Sequence, residues 1–287
     1  MTASAQQLAL LDDAYRRQQV AVQAATALGI IRLWNNVRAD HLIPDATIWL
    51  NRAAPLVMSG FERSAKIGEA YYGTLRHLHV PAAKPFIMPH AEAPTLAQVK
   101  TSLWVTGVVG AQHRVAKIPG LTFDLSAFRA PVPDVGSFLA RQQQTIAAGT
   151  TTLVREAMST SGAAAAAASV RHVGNGGREQ VKAASAADPK ALGYVRITSG
   201  HPCYFCAMLA SRGGVFKGDS FDASDARFEG PGTAKVHDSC VCTLRGLFSR
   251  NPAEVPELNQ HFTDMWTQRG DGDPLTAFRQ LYEGRAA

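Results

Sequence analysis

Cysteine is scarce in this chain of 287 residues: there are four, all between positions 203 and 242. A disulfide framework spread over the molecule is thereby excluded, and whatever sulfur does is confined to one short window. Long apolar runs are missing too. No stretch of 18 or more residues is continuously apolar, and the alanine run at 163–168 is too short and too weakly hydrophobic, so no membrane span is expected. The opening stretch MTASAQQLALLDDAYRRQQ has no apolar h-region and meets charge by Asp12, which does not read as a secretory leader. The expected setting is a chain that stays in, or starts in, a reducing cytosol. There, clustered cysteines favour a metal site over disulfides. No HExxH occurs, no GxSxG gathers the serines and histidines into a hydrolase motif, and no repeat of fixed period is present. No basic run with interleaved aromatics supports sequence-specific nucleic-acid reading.

What is present is ordinary in bulk. Hydrophobic residues make up 46% and charged residues 18%, as in a globular protein large enough for one big domain or two smaller ones. The net charge of +6 is uneven. Residues 1–192 hold 19 Lys and Arg against 12 Asp and Glu, whereas residues 193–287 hold 10 against 11. The basic part is the part without cysteine. Its surplus reads as a solvated helical surface, or as contact with nucleic acid or an acidic partner surface.

The first 190 residues read as a mostly helical body. Leu8, Leu11, Tyr15, Val22 and Leu33 fall on one face of a 3.6-residue repeat, with Asp12, Arg16, Arg17 and Gln18 on the polar side. A second helix over about 46–78 carries Trp49, Ala53, Leu56, Gly60, Ile67 and Tyr71, with Pro55 predicting a kink or a fresh start. Four prolines mark 79–94 as an irregular connection, and a third helix follows over about 95–116. After a Pro/Gly-rich joint, an alanine-rich helix is expected over about 134–171. It ends at the GNGG of 174–177, with a short helix over 178–187 beyond.

The character changes at Gly193. In GYVRITSG, Tyr194, Arg196 and Thr198 alternate with Val195 and Ile197, which suits a strand. HPCYFCAMLASRGG then reads as a CxxC turn opening a short helix, VF as a second strand, and HDSCVCTLRGLF as a third. Two helices are expected over roughly 253–268 and 273–284, with Asp273-Pro274 starting the second.

The cysteine spacing is Cys203-x2-Cys206, thirty residues, then His237-x2-Cys240-x-Cys242. A CxxC turn sets two thiolates on one side of a knuckle, and an HxxC or CxC pair from a second element completes a tetrahedral zinc site with Zn–S bonds of about 2.3 Å. Cys203, Cys206, His237, Cys240 and Cys242 are the candidate ligands, with His201 as an outer partner. Because candidates outnumber places, the set of four stays open. Such a structural zinc would fix a module too small for its own core. Two other readings stand beside it: packed or disulfide-linked cysteines without metal, and a catalytic site. HPCYFC half echoes the deaminase PCxxC pattern, but the Glu is missing. No catalytic residue is assigned, and His77, His79, His90 and His113 read as surface or packed histidines.

The stretch GYVRITSGHPCYFCAMLASRGGVF, followed by VHDSCVC, resembles the C-terminal signature of the MuF-type phage head morphogenesis (minor capsid) proteins, in the versions encoded by phages of actinobacteria. The positions that carry it are Cys203, Cys206, Leu209, Gly214, Phe216, His237, Cys240 and Cys242. Asp238 and Val241 stand where that family commonly has proline and arginine. The resemblance covers about 193–248 and is weaker over the helical part.

It implies a virion-associated protein assembled in the host cytoplasm and incorporated in few copies during prohead assembly near the portal. The partners it implies are the portal protein and the major capsid or scaffold protein, with non-specific DNA contact during packaging or ejection. No small-molecule substrate is implied. The alternative is a capsid maturation protease. The expected fold is mainly α, with long helices packed as a bundle over 1–192. A small α+β Cys/His module with two or three short strands follows over 193–248, and a helical tail over 249–287.

Overall fold

The computed structural model describes residues 4–118, 151–217, 238–270 and 272–284. The Pro/Gly-rich joint, residues 134–150 of the fourth expected helix, the polar loop after the second strand and His237 lie outside the described residues.

Helix α1 (Ala5–Trp34) starts at a reciprocal cap. The Gln7 amide donates to the Ser4 hydroxyl, and the Ser4 amide donates to the Gln7 side chain. Its buried face is Leu8, Asp12, Tyr15, Gln19, Gln23, Thr26, Ile30 and Trp34. The period is helical as expected, but half the stripe is polar. Asp12, expected on the solvent face, is buried instead. It accepts from the Tyr71 hydroxyl at 2.6 Å and from Arg245 at 2.7 Å. A buried carboxylate needs such partners, and both come from distant sequence, so periodicity alone misplaced it.

Helix α2 (Leu42–His79) runs unbroken through Pro55, which faces solvent. A proline there removes one amide donor, and the freed carbonyl one turn back is left on the wet side. Pro44 lies in the first turn, where its missing N–H costs nothing. Helix α3 (Leu96–Leu103), a π-helical turn (Trp104–Val109) and helix α4 (Gly110–Val115) form one continuous rod.

Helix α5 (Thr151–Ala187) is the axis of the body, packed along both α1 and α2. It passes straight through Gly174–Gly177, correcting the expectation of a stop and a separate short helix. The reason is close packing. A Cβ on Gly176 would fall on the Phe61 carbonyl and 3.1 Å from the Ala65 amide of α2. Facing it, a Cβ on Gly68 would meet the Gly177 carbonyl at 2.9 Å. Ser64 lies between: its hydroxyl bonds the Gln19 side chain and accepts from the Gly177 amide at 2.8 Å. Small residues on both helices let the backbones touch, so the glycines serve contact and not termination.

The remaining core divides into patches. Trp34 and Trp49 meet edge to face at 4.9 Å, surrounded by Leu103, Val108, Met158 and Val173. At the other end of the bundle, Leu8, Tyr15, Tyr71, Tyr72, Leu75, Val181 and Ala184 pack with Leu244. Leu244 belongs to a three-stranded antiparallel sheet of order β2-β1-β3, made of β1 (Gly193–Ile197), β2 (Gly214–Phe216) and β3 (Thr243–Leu247). Its register pairs Val195 with Arg245 and Arg196 with Leu244. The sheet therefore lies on the helical body. Helix α6 (Tyr204–Ala210) packs under α7 (Glu257–Gln268) and α8 (Pro274–Tyr282) through Met208, Phe262 and Phe278. The N-cap of α8 is Asp273, as expected, accepting from the Thr276 amide at 2.9 Å. The mainly α fold with a small sheet near its C-terminal end matches the sequence reading.

Candidate metal centre

Cys203 is the N-cap of α6, its sulfur accepting the Cys206 amide at 3.4 Å. This cap turns the chain so that Cys206, the third residue of the helix, faces inward and is buried while Cys203 stays exposed. The second arm is the segment entering β3. Ser239 adopts a left-handed φ of 64°, the one non-glycine among the described residues to do so. That bend brings Cys240 and Cys242 back beneath α6.

Four contacts tie this arm to the helical body. The Asp238 carboxylate pairs with Arg171 at 2.7 Å, and the Ser239 amide donates to the Ala167 carbonyl at 3.1 Å. Gln23 of α1 donates to the Cys240 carbonyl at 3.3 Å, and Arg178 of α5 to the Cys242 carbonyl at 2.8 Å.

The sulfurs converge. Cys206 Sγ is 3.4 Å from Cys240 Sγ, which is 2.9 Å from Cys242 Sγ, and all three lie within 4.8 Å of one another. No disulfide joins the cysteines. Cys203 stands outside this triad but is in hydrogen-bond contact with Cys206. Arg196, the fourth of the five residues of β1, donates to Cys242 Sγ at 2.6 Å. Hydrogen bonds from Cys206 and Cys240, reinforced by the Arg196 and Arg178 cations and opposed by burial, hold Cys242 well below the usual thiol range. Hydrogen bonds to the other three cysteines, together with burial, push the Cys206 thiol up. Arg196 and Arg178 thus favour the thiolate form of Cys242.

Three buried, mutually close thiol sulfurs are a soft donor set suited to a thiophilic divalent ion. The cluster is close enough to hold one. Of the predicted site residues, Cys206, Cys240 and Cys242 are brought together and Cys203 lies at the edge. His201 is exposed just before the cap, and His237 falls outside the described residues. Arg196, Arg178 and Gln23 escaped the sequence reading. The one available signal was Arg196, a cation inside a strand that leads directly into CxxC.

Among the described residues, the other histidines form no second centre. His77, His90 and His113 are exposed. His79 stacks on Phe248 at 5.1 Å, with Glu254 3.7 Å away. His172, unremarked in the sequence, is buried on α5 with its Nε2 unpartnered.

The family model of the VG15 protein matches residues 127–269, which include all four cysteines. This places that part of the chain in likeness with a family of viral proteins. No curated protein and no solved structure matches the chain. Among the described residues, no helix is long and apolar enough to cross a membrane.

Proposed function

We propose that the chain is a minor capsid protein of a phage, of the head morphogenesis kind, incorporated in few copies during prohead assembly beside the portal and resident in the virion. The observation that carries this reading is the viral family match over the segment that holds the cysteine cluster. The geometry supports a structural part for that cluster: its sulfurs are buried, and its second arm is bound to α1 and α5. A zinc ion held by Cys206, Cys240 and Cys242, with Cys203 or His237 in the fourth place, would lock the CxxC turn to the strand arm. The ion would supply crosslinking and no reaction step. The basic surplus of residues 1–192 suits contact with packaged DNA, and the long helices suit docking on portal, major capsid or scaffold protein.

Quantitative mass spectrometry of purified particles tests the proposal. A few intact copies per particle, lost when Cys206→Ser replaces the wild type during assembly, is the expected result. Absence from mature particles would overturn it, and cleavage of capsid or scaffold proteins that depends on this gene would replace it with a maturation protease.

A further inference from the structure

Two arginines are buried against the cysteine cluster. Arg178 is 1% exposed and Arg196 is 9% exposed. Burying a guanidinium costs several kcal/mol unless an anion or a set of hydrogen-bond acceptors meets it. Among the described residues, no carboxylate pairs with either one. Arg178 is satisfied by oxygens alone: the Cys242 carbonyl, the Arg171 carbonyl at 3.2 Å and the Asn175 side chain at 2.8 Å. Arg196 places Nη1 on Cys242 Sγ. Its own backbone is fixed from outside, for Asn259 of α7 donates to the Arg196 carbonyl at 2.9 Å. The register of β1 against β3 then sets how far the side chain reaches. The sulfur cluster is thus the anionic group against which Arg196 rests.

We infer that Arg196 is a positioning residue for the metal centre, aiming the Cys242 sulfur and balancing the charge of an anionic thiolate site that takes a divalent, thiophilic ion. The inference rests on the metal-binding reading above. The charges agree with it. Three thiolates around a divalent ion leave one negative charge and four leave two, while Arg196 and Arg178 bring one positive charge each. A neutral site, with two thiolates and two imidazoles, would leave Arg196 unbalanced. The arrangement also disfavours an open, reactive site: the hydrogen bond draws electron density from the sulfur and lowers its nucleophilicity. Outer groups that bond a ligand atom commonly change metal affinity by about 10–100-fold when removed.

The test compares full-length wild type, Arg196→Gln and Arg196→Lys. Each is titrated with zinc against a chromophoric chelator, and the sulfur-to-metal charge-transfer band is recorded after cobalt substitution. The expected result is zinc held about 10–100-fold more weakly by Arg196→Gln, with a shifted cobalt band, and most of the affinity regained by Arg196→Lys. A merely structural side chain would not move the band.

Wild-type affinity and band in Arg196→Gln overturn the inference, as does Arg196→Lys binding as weakly as Arg196→Gln. If Arg196→Gln does not fold even with excess zinc, Arg196→Lys decides. Affinity within roughly threefold of wild type supports the charge role, and a loss beyond roughly tenfold overturns it. A wild-type chain that takes up no metal overturns the metal reading and this inference together. A metal-loaded wild type with an indifferent Arg196→Gln overturns this inference alone.

Discussion

Gly176→Ala tests the packing of α5 with a sign, not merely a size. If the GNGG run were helical but free of close neighbours, alanine would strengthen it, because glycine is worse than alanine in a helix interior by about 1 kcal/mol. The structure demands the reverse. The added methyl would fall on the Phe61 carbonyl of α2 and 3.1 Å from the Ala65 amide, both backbone atoms inside a helix. No rotamer relieves that contact. The helices must separate, and α5 is also held to α1 and α2 through Gln19, Ser64 and the Gly177 amide. Overpacking of this kind costs about 1–3 kcal/mol, and the upper end applies where backbone meets backbone.

After the propensity gain, a net loss of about 2 kcal/mol is expected, or a fall of roughly 4–8 °C in Tm for a chain of this size. Gly73→Ala is the control. Its Cβ would find the Met88 Cε at 3.7 Å, an ordinary contact, so it should be neutral or gain up to about 1 kcal/mol. Thermal and urea unfolding followed by circular dichroism measures both. A Gly176→Ala protein as stable as Gly73→Ala would refute the close contact between α5 and α2.

Other perturbations have equally definite outcomes. Asp12→Ala strands Arg245, buried against the bundle, and should cost about 3–5 kcal/mol in urea unfolding; Asp12→Asn, which keeps an acceptor for Tyr71, should cost less. Burial, helped by the Arg171 cation and opposed by Asp238, lowers the His172 pKa to about 4. The unfolded chain therefore binds this proton first, so stability is complete above pH 6.5 and falls as pH drops from there to about 4, by up to about 3 kcal/mol. His172→Gln should flatten that acid limb, and an unchanged pH profile would count against a buried neutral imidazole. Cys206→Ser should abolish zinc uptake measured by elemental analysis, whereas Cys203→Ser, at the exposed edge of the cluster, should retain part of it.

Much of the fold was legible because periodicity and turn chemistry act locally. The 3.6-residue stripe of Leu8 and Tyr15, the Asp273-Pro274 start and the strand alternation after Gly193 each depend on neighbours in sequence. The errors occur where a partner far along the chain decides. Gly174–Gly177 reads as a terminator in isolation, since glycine is the usual residue past a helix end. Its role is set by Phe61, Ser64, Ala65 and Gly68 of α2, roughly a hundred positions earlier. Asp12 reads as solvent-facing until Arg245, 233 residues away, is known to meet it. Propensity and pattern supply a prior, and tertiary contact overrides it at these two places.

The candidate site divides along the same line. Spacing alone groups Cys203 with Cys206 and Cys240 with Cys242, because a CxxC turn and a CxC arm are local objects. That the two arms meet depends on β1 pairing with β3, whose Ile197–Thr243 pair brings the start of the CxxC helix beside the strand arm. What surrounds the sulfurs was hidden, since Gln23, Arg178 and Arg196 come from three separate elements. These residues change what the cluster is. Four cysteines alone would be a clasp closing a small module. With Gln23 and Arg178 on the carbonyls of Cys240 and Cys242, the clasp is attached to α1 and α5. Loosening the sulfurs therefore releases hydrogen bonds that α1 and α5 spend on this arm, and it leaves the buried Arg178 without one of its acceptors. Thiol modification should accordingly destabilise the helical body as well as the sheet. Hydrogen exchange would show this as lost protection along α5 around Arg178, and protection lost only in β1–β3 would mean that the arm is merely resting on the bundle.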